Sequence, residues 1–345
     1  MSLKLLVTGG AGFIGSHFVS RIAKRYPEYR ITVLDALTYA GSLQNIPEYD
    51  PAQPEGRIRF WLGNVCNVGL LNDLVAEHDV VIHFAAETNV TRSIHDTMPF
   101  FETDVIGTQV VANAVLRAGE RVDRFIHIST SEVYGTAETG MMDEAHPLNP
   151  ASPYASAKCG ADRLVYSYWA TYGLPAVIVR PFNNYGIRQH LEKVIPRFIS
   201  SCLLGEPLRV HGNGLAERDF INVRDTCAAL DLLLHADRGA VLGEVFNVAS
   251  GTSRSTLSIA HDVVRLMKAD PELIRYVGDR PGQVARHTGD WSKLNRTLGW
   301  QPEVDWESGL IETINWFREN RYIWEPQMWM RAVPIRTRTG VVEMH

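Results

Sequence analysis

The sequence predicts an α/β fold, a doubly wound parallel sheet with a smaller C-terminal α/β substrate-binding region, and three observations lead there. Short apolar or β-branched runs, Lys4 to Thr8, Arg30 to Asp35, Val80 to Phe84 and Arg124 to Ser129, alternate with helical stretches near 67 to 77 and 103 to 118. Such alternation argues for a parallel sheet covered on both faces. The first run opens into a glycine-rich turn, residues 9 to 15, from which Ser16 to Arg25 continues as an amphipathic helix. After Pro181 the rhythm weakens into short strands (Leu208 to His211, Glu244 to Val248), helices (Asp225 to Leu234, Leu257 to Met267) and Gly/Pro punctuation.

These shifts divide the chain into residues 1–181 for the first sheet and 182–330 for a mainly substrate-binding region interleaved with the end of that sheet. Residues 331–345 show no clear period, and their role stays open. The segment Pro153 to Tyr172 follows the turn-forming Asn149-Pro150-Ala151-Ser152 and lacks internal proline, so it reads as a helix, with the strand Ala176 to Arg180 after it.

Composition excludes several classes of function. The 345 residues carry 34 Lys+Arg against 39 Asp+Glu, a net charge of −5, with 45% hydrophobic and 21% charged residues. This slightly acidic balance offers no electrostatic footprint for nucleic acid or an anionic membrane. No apolar run approaches the roughly 20 residues that span a bilayer, and the N-terminus lacks a cleavable apolar segment. A cytoplasmic protein is expected. Cys66, Cys159, Cys202 and Cys227 form no C-x-x-C pair, which suits reduced thiols and implies no metal.

The glycine turn carries the spacing G-x-G-x-x-G as Gly10, Gly12 and Gly15, with Gly9 adding G-x-x-G-x-x-G. Between a strand and a helix, bare backbone can approach a pyrophosphate and the helix N-terminus offers N–H groups to it. Asp35 ends the second strand 20 residues beyond Gly15, where a carboxylate can bond both ribose hydroxyls of an adenosine. A 2′-phosphate would be repelled there, so NAD is favoured over NADP.

Tyr154 and Lys158 stand at i, i+4 and share one helix face. An ammonium beside a phenol favours the phenolate, so Tyr154 could accept a hydroxyl proton while hydride leaves the same carbon. Ser129-Thr130-Ser131-Glu132 lies at the carboxyl edge of a strand, where open α/β sheets bind ligands. Thr130 and Glu132 would point the same way if the strand continued through them.

These segments, with Asp35-Ala-Leu-Thr-Tyr-Ala-Gly41, His83-Phe-Ala-Ala-Glu-Thr-Asn-Val-Thr-Arg-Ser-Ile94, Ser129-Thr-Ser-Glu-Val-Tyr-Gly135, Asn183-Asn-Tyr-Gly186 and Gly278-Asp-Arg-Pro-Gly282, resemble the extended short-chain dehydrogenase/reductase family over residues 3 to 320. Within it they are most similar to the nucleotide-sugar 4,6-dehydratases, the dTDP-glucose branch above all. The resemblance implies a Rossmann domain holding NAD through Gly9, Gly12, Phe13, Ile14, Gly15, Asp35, Ala85, Tyr154 and Lys158. It also implies that Thr130 bonds the sugar 4-hydroxyl, Tyr154 takes its proton, Lys158 holds the nicotinamide ribose, and Glu132 acts at C5 beside Ser131. The product would be a 4-keto-6-deoxy sugar nucleotide. A diphosphate needs fixed positive charge; by family position Arg218 and Arg280 would supply it, supported by Asn183, Lys193 and Asn247.

Three positions depart from the family pattern. Ser131 replaces the Asp of the dTDP-glucose enzymes, Asp104 stands where the family has Asn, and Gln283 follows Arg-Pro-Gly in place of His. Two related activities separate on single residues. A 4-epimerase usually has a small residue at the place of Glu132, and a sugar-nucleotide decarboxylase has an Arg just before its tyrosine, where this chain has Ala151-Ser152-Pro153. A nonenzymatic NAD-binding regulator would have no need of Thr130, Glu132, Tyr154 and Lys158 together. The resemblance further implies a homodimer built through the helices 103–118 and 154–172, with Val105, Val110, Val111, Leu116, Tyr166, Tyr168 and Trp169 among their apolar and aromatic residues. His83, His190 and His287 read as packing residues.

Overall fold

Apolar runs of this length satisfy their backbone groups by pairing side by side, and seven of them form the central sheet of the computed structural model, which describes residues 2–278, 284–336 and 341–344. Its order is Val245–Val248, Ala176–Pro181, Arg124–Ile128, Val80–His83, Lys4–Thr8, Arg30–Asp35, Ile58–Leu62, all parallel. The chain reverses its direction of growth at Lys4–Thr8, which pairs with Arg30–Asp35 on one side and Val80–His83 on the other. A crevice at the carboxyl ends of these strands follows from that reversal. Two apolar clusters cover the sheet, one including Phe18, Val33, Ile82 and Leu230, the other including Leu6, Leu74, Val115 and Phe125. A third, around Ile195, Phe198, Val263 and Phe317, forms the core of the C-terminal region.

The helix Pro153–Tyr172 has the span the sequence predicts, because its ends are chemically marked. Ser152 Oγ accepts from the Ala155 N–H at 3.1 Å, Pro153 starts the first turn, and Gly173 closes it at φ +68°. A buried ion pair then fixes the helix to the sheet. Asp162 accepts two hydrogen bonds of 2.9 Å from the Arg180 guanidinium, with both side chains almost wholly buried. Breaking such a pair leaves an uncompensated buried charge and costs about 3–5 kcal/mol.

Three expectations change. The helix predicted over 103–118 begins as a π-helical turn, Phe101–Gly107, and becomes α-helical only at Thr108–Ala118. Gly107 lies so close to Val65 that a Cβ would come within 2.7 Å of its Cγ2. The strand over 124–129 stops at Ile128, and Thr130 caps a 3-10 turn, Ser131–Tyr134. An edge strand, Ile58–Leu62, was not predicted; the apolar Trp61 stands where alternation expects a polar residue, and Leu62 is 68% exposed. In the tail, Pro334–Arg336 pairs antiparallel with Val342–Met344, beside the helix Val90–His95.

Candidate active site

A cavity of about 480 Å³ opens at the carboxyl edge of the sheet and runs into the C-terminal region. Gly9, Gly12, Phe13, Ile14, Gly15, Asp35 and Ala85 line one end, Thr130, Ser131, Glu132, Tyr154 and Lys158 the middle, and Asn183, Lys193 and Arg218 the C-terminal side. The linear motifs thus meet in one space.

The glycine end fits a dinucleotide. Gly9 has φ +69°, and a Cβ there would sit 2.5 Å from the Ala85 nitrogen, so only glycine permits this turn. A Cβ on Gly15 would lie 2.4 Å from the Gly9 carbonyl oxygen, whereas on Gly12 it would meet nothing closer than that oxygen at 3.3 Å. Gly12 also caps the helix Phe13–Arg25 without a side-chain acceptor, leaving first-turn N–H groups for an anion. Asp35 Oδ2 accepts from Ala11 N–H at 2.9 Å and Oδ1 from Leu37 N–H at 2.8 Å. Burial pushes its carboxyl up and these two N–H groups hold it back.

The catalytic end departs from the sequence reading in two respects. Thr130 and Glu132 reach the same cavity through the 3-10 turn rather than along a strand, with Thr130 Oγ1 accepting from the Glu132 N–H at 3.2 Å. Lys158 does not lower Tyr154 as expected. Burial pushes the phenol well up, the Asp104 and Glu132 charges add to this, and a hydrogen bond with Thr130 opposes them. Lys158 Nζ instead donates to the Ile128 carbonyl at 2.7 Å, and burial pulls its ammonium down against the pull of Asp104 and Asp162.

Glu132 Oε1 lies 3.6 Å from Arg218 Nε and 3.9 Å from His287 Nδ1. Burial pulls the imidazole down, while the Arg218 guanidinium faces the Glu132 carboxylate as a positive charge. Arg218 Nη1 also donates to the Val284 and Glu217 carbonyls at 2.7 and 2.9 Å, so it is not free for the diphosphate alone.

Asn247 is a correction. It is fully buried at the end of its strand, its Oδ1 accepts from the Tyr134 hydroxyl at 2.8 Å, its amide donates to the Met142 carbonyl at 3.0 Å, and it is not part of the cavity wall. Strand pairing turns it into the core beneath the site. Lys193 lines the cavity and donates to Thr88 through the carbonyl at 2.6 Å and the hydroxyl at 2.9 Å. Arg280 and Gln283 lie outside the described residues. His83 is buried between the Thr8 and Thr108 hydroxyls, whereas His190 lines the cavity.

Sequence reasoning missed Arg197, Arg209 and Arg331, which line the cavity from a helix, a strand and the tail. Burial and the charges of Arg331 and Arg209 pull Arg197 down to about 10. Among the described residues only Arg331 has a carboxylate partner, Glu206. No linear spacing connects the three, so no motif announces them.

Comparison with known proteins supports the same reading. The model of the family described as GDP-mannose 4,6 dehydratase matches residues 6–313. A dTDP-glucose 4,6-dehydratase of an Actinoplanes species is 43% identical over 93% of this chain and all of its own. The crystal structure of a dTDP-glucose 4,6-dehydratase from Streptomyces venezuelae with NAD bound superposes with TM-score 0.89 at 41% identity, covering 94% of this chain and all of the other. A UDP-glucose 4-epimerase from Thermotoga maritima, 28% identical, still reaches TM-score 0.84 over 92% of this chain and all of its own. Residues, not fold, separate the two activities.

Proposed function

The chain belongs to the GDP-mannose 4,6 dehydratase family, within the extended short-chain dehydrogenases/reductases, and we propose that it converts a nucleoside-diphosphate hexose to the 4-keto-6-deoxy sugar using NAD. The observation that carries this is Glu132 in one cavity with Thr130, Tyr154 and Lys158, since an epimerase has no use for a carboxylate at C5. dTDP-glucose is the first substrate to test, given the relatives. Loss of water from one member of a panel of dTDP-, UDP-, GDP- and CDP-hexoses, read by mass spectrometry, tests the activity. Unchanged mass for every member would refute it.

NAD supplies a hydride acceptor at C4 and the donor that later returns hydride to C6. Tyr154 takes the C4 hydroxyl proton while Thr130 holds that hydroxyl. The resulting ketone acidifies C5, and Glu132, paired with Arg218, removes the C5 proton. Ser131 is a poor acid, so the carboxyl that has just gained this proton passes it to the departing C6 hydroxyl, which leaves as water. One group then acts as base and acid in turn, and the proton that C5 takes up when hydride returns to C6 comes from solvent. Residues 1–181 serve mainly the cofactor and 182–330 mainly the sugar nucleotide, with Lys193, Arg197, Arg209 and Arg331 supplying positive charge toward its nucleotide end.

The cofactor stays through turnover because the hydride returns within the site. Isolated protein is expected to release NAD on denaturation and to need no stoichiometric NAD for activity. NADP, opposed by Asp35, should support less turnover, and equal or better activity with NADP would contradict the assignment.

Among the described residues no helix is long and apolar enough to cross a membrane, and cytoplasmic action is proposed; recovery in a membrane pellet would contradict it. A homodimer through the helices Thr108–Ala118 and Pro153–Tyr172 is proposed as well. Val111 is buried in the chain's own core, while Leu116 and Tyr166, with nearby Phe101 and Ile106, stay exposed. A sedimenting species of single-chain mass would refute the dimer.

A further inference from the structure

We propose that Asp104 is a positioning residue for the Tyr154–Lys158 pair, a buried carboxyl whose charge acts on both members and so sets the pH at which the phenol can act. This rests on Tyr154 being the proton acceptor of the reaction proposed above. It concerns a residue outside the cavity wall that no step of that reaction uses.

Geometry carries the inference. Asp104 is fully buried within the π-helical turn Phe101–Gly107, which packs on the helix that bears Tyr154 and Lys158. Its Oδ1 accepts from the Glu87 N–H at 2.8 Å, while Oδ2 is buried with no hydrogen-bond partner among the described residues. A carboxylate in so few bonds is poorly stabilised as an anion. Lys158, committed to the Ile128 carbonyl, attracts it through space.

Among the described residues the charged groups facing Asp104 are few. Lys158 and the Tyr154 phenol come from the helix Pro153–Tyr172, and Glu87 from the loop after Val80–His83; Asp162 acts on Lys158 from one turn further along. Burial raises the Asp104 carboxyl to about 7, with Lys158 opposing and the Glu87 charge adding to the rise. Burial and Glu192 push Glu87 itself to about 6.

The sign follows. Below its own pKa Asp104 is neutral, and only burial and the Glu132 charge hold the phenol up. Above it, the ionised carboxylate pushes the Tyr154 phenol up and supports the Lys158 ammonium. An asparagine at this position would remove the carboxylate charge from the phenol and from Lys158 at every pH.

The test is the pH profile of C4 oxidation in a single turnover of NAD-loaded enzyme, for wild type and Asp104→Asn. Both limbs should move to lower pH in the variant by about one unit, equivalent to about tenfold in rate on the rising limb. Limbs that stay in place while the whole profile drops would show a structural role and overturn the proposal. A second readout needs no substrate, so its failure is separable from failure of the dehydratase reading. In protein labelled with 13C at aspartate carboxyls, the resonance missing from both Asp104→Asn and Asp104→Ser should titrate near neutral pH. Titration below about pH 5, near the ordinary aspartate value, would overturn the proposal whatever the activity. If neither variant folds, the wild-type spectrum decides: no aspartate resonance titrating near neutral pH would overturn it equally.

Discussion

Glu132→Gln enzyme mixed with its substrate is expected to accumulate a 4-keto-hexose and a bound reduced cofactor, absorbing as NADH, without releasing water. The amide keeps the shape of the side chain but can neither take the C5 proton nor give one to the departing hydroxyl. In the proposed reaction oxidation at C4 relies on Thr130 and Tyr154 and should proceed. Water loss should fall by about 10²-fold or more, the usual contribution of a positioned acid–base group. The same change removes the charge facing Arg218, so a guanidinium 10% exposed loses its partner. Thermal unfolding should therefore be checked alongside. Near-normal water loss in a folded variant would remove Glu132 from the reaction.

Tyr154→Phe should stop the reaction one step earlier. No 4-keto-hexose and no reduced cofactor should form, because the group that accepts the hydroxyl proton is gone. NAD should still bind, since the cradle of Gly9, Gly12 and Gly15 and the Asp35 carboxylate are untouched. The ring can remain where it is, edge-on to Phe100 with centroids 6.1 Å apart. A Phe variant retaining more than about a tenth of the wild-type oxidation rate would contradict the assignment. The two variants thus divide the reaction: one stalls after oxidation, the other before it.

The parts of the fold and site legible in the sequence are those whose physics is local. The helix Pro153–Tyr172 was readable because Ser152, Pro153 and Gly173 mark its ends, and the glycine turn because a φ of +69° at Gly9 and the close approach of Ala85 require glycine. Tyr154 and Lys158 share a helix face by spacing alone. What escaped depends on contacts made elsewhere in the chain. The π-helical turn at Phe101–Gly107 goes with the close approach of Val65, far away in sequence, and with it goes the burial of Asp104. Asn247 looks like a ligand at a strand end, but Tyr134 and Met142 take up its polar atoms. Arg197, Arg209 and Arg331 meet only when the tail folds against the helix that begins at Val194. The effect of Lys158 on Tyr154 was misjudged because spacing shows which groups are near, not which carboxylates lie behind them.

Isotope flow from solvent during turnover tests the central claim, that this cavity eliminates water across C5 and C6, most directly. With the accepted nucleotide hexose in deuterated water, the account predicts a product lighter by one water and carrying one solvent deuterium, located at C5. Product that keeps the original C5 hydrogen, or an isomer of unchanged mass, would contradict it, and a uronic acid substrate losing carbon dioxide would identify a decarboxylase instead.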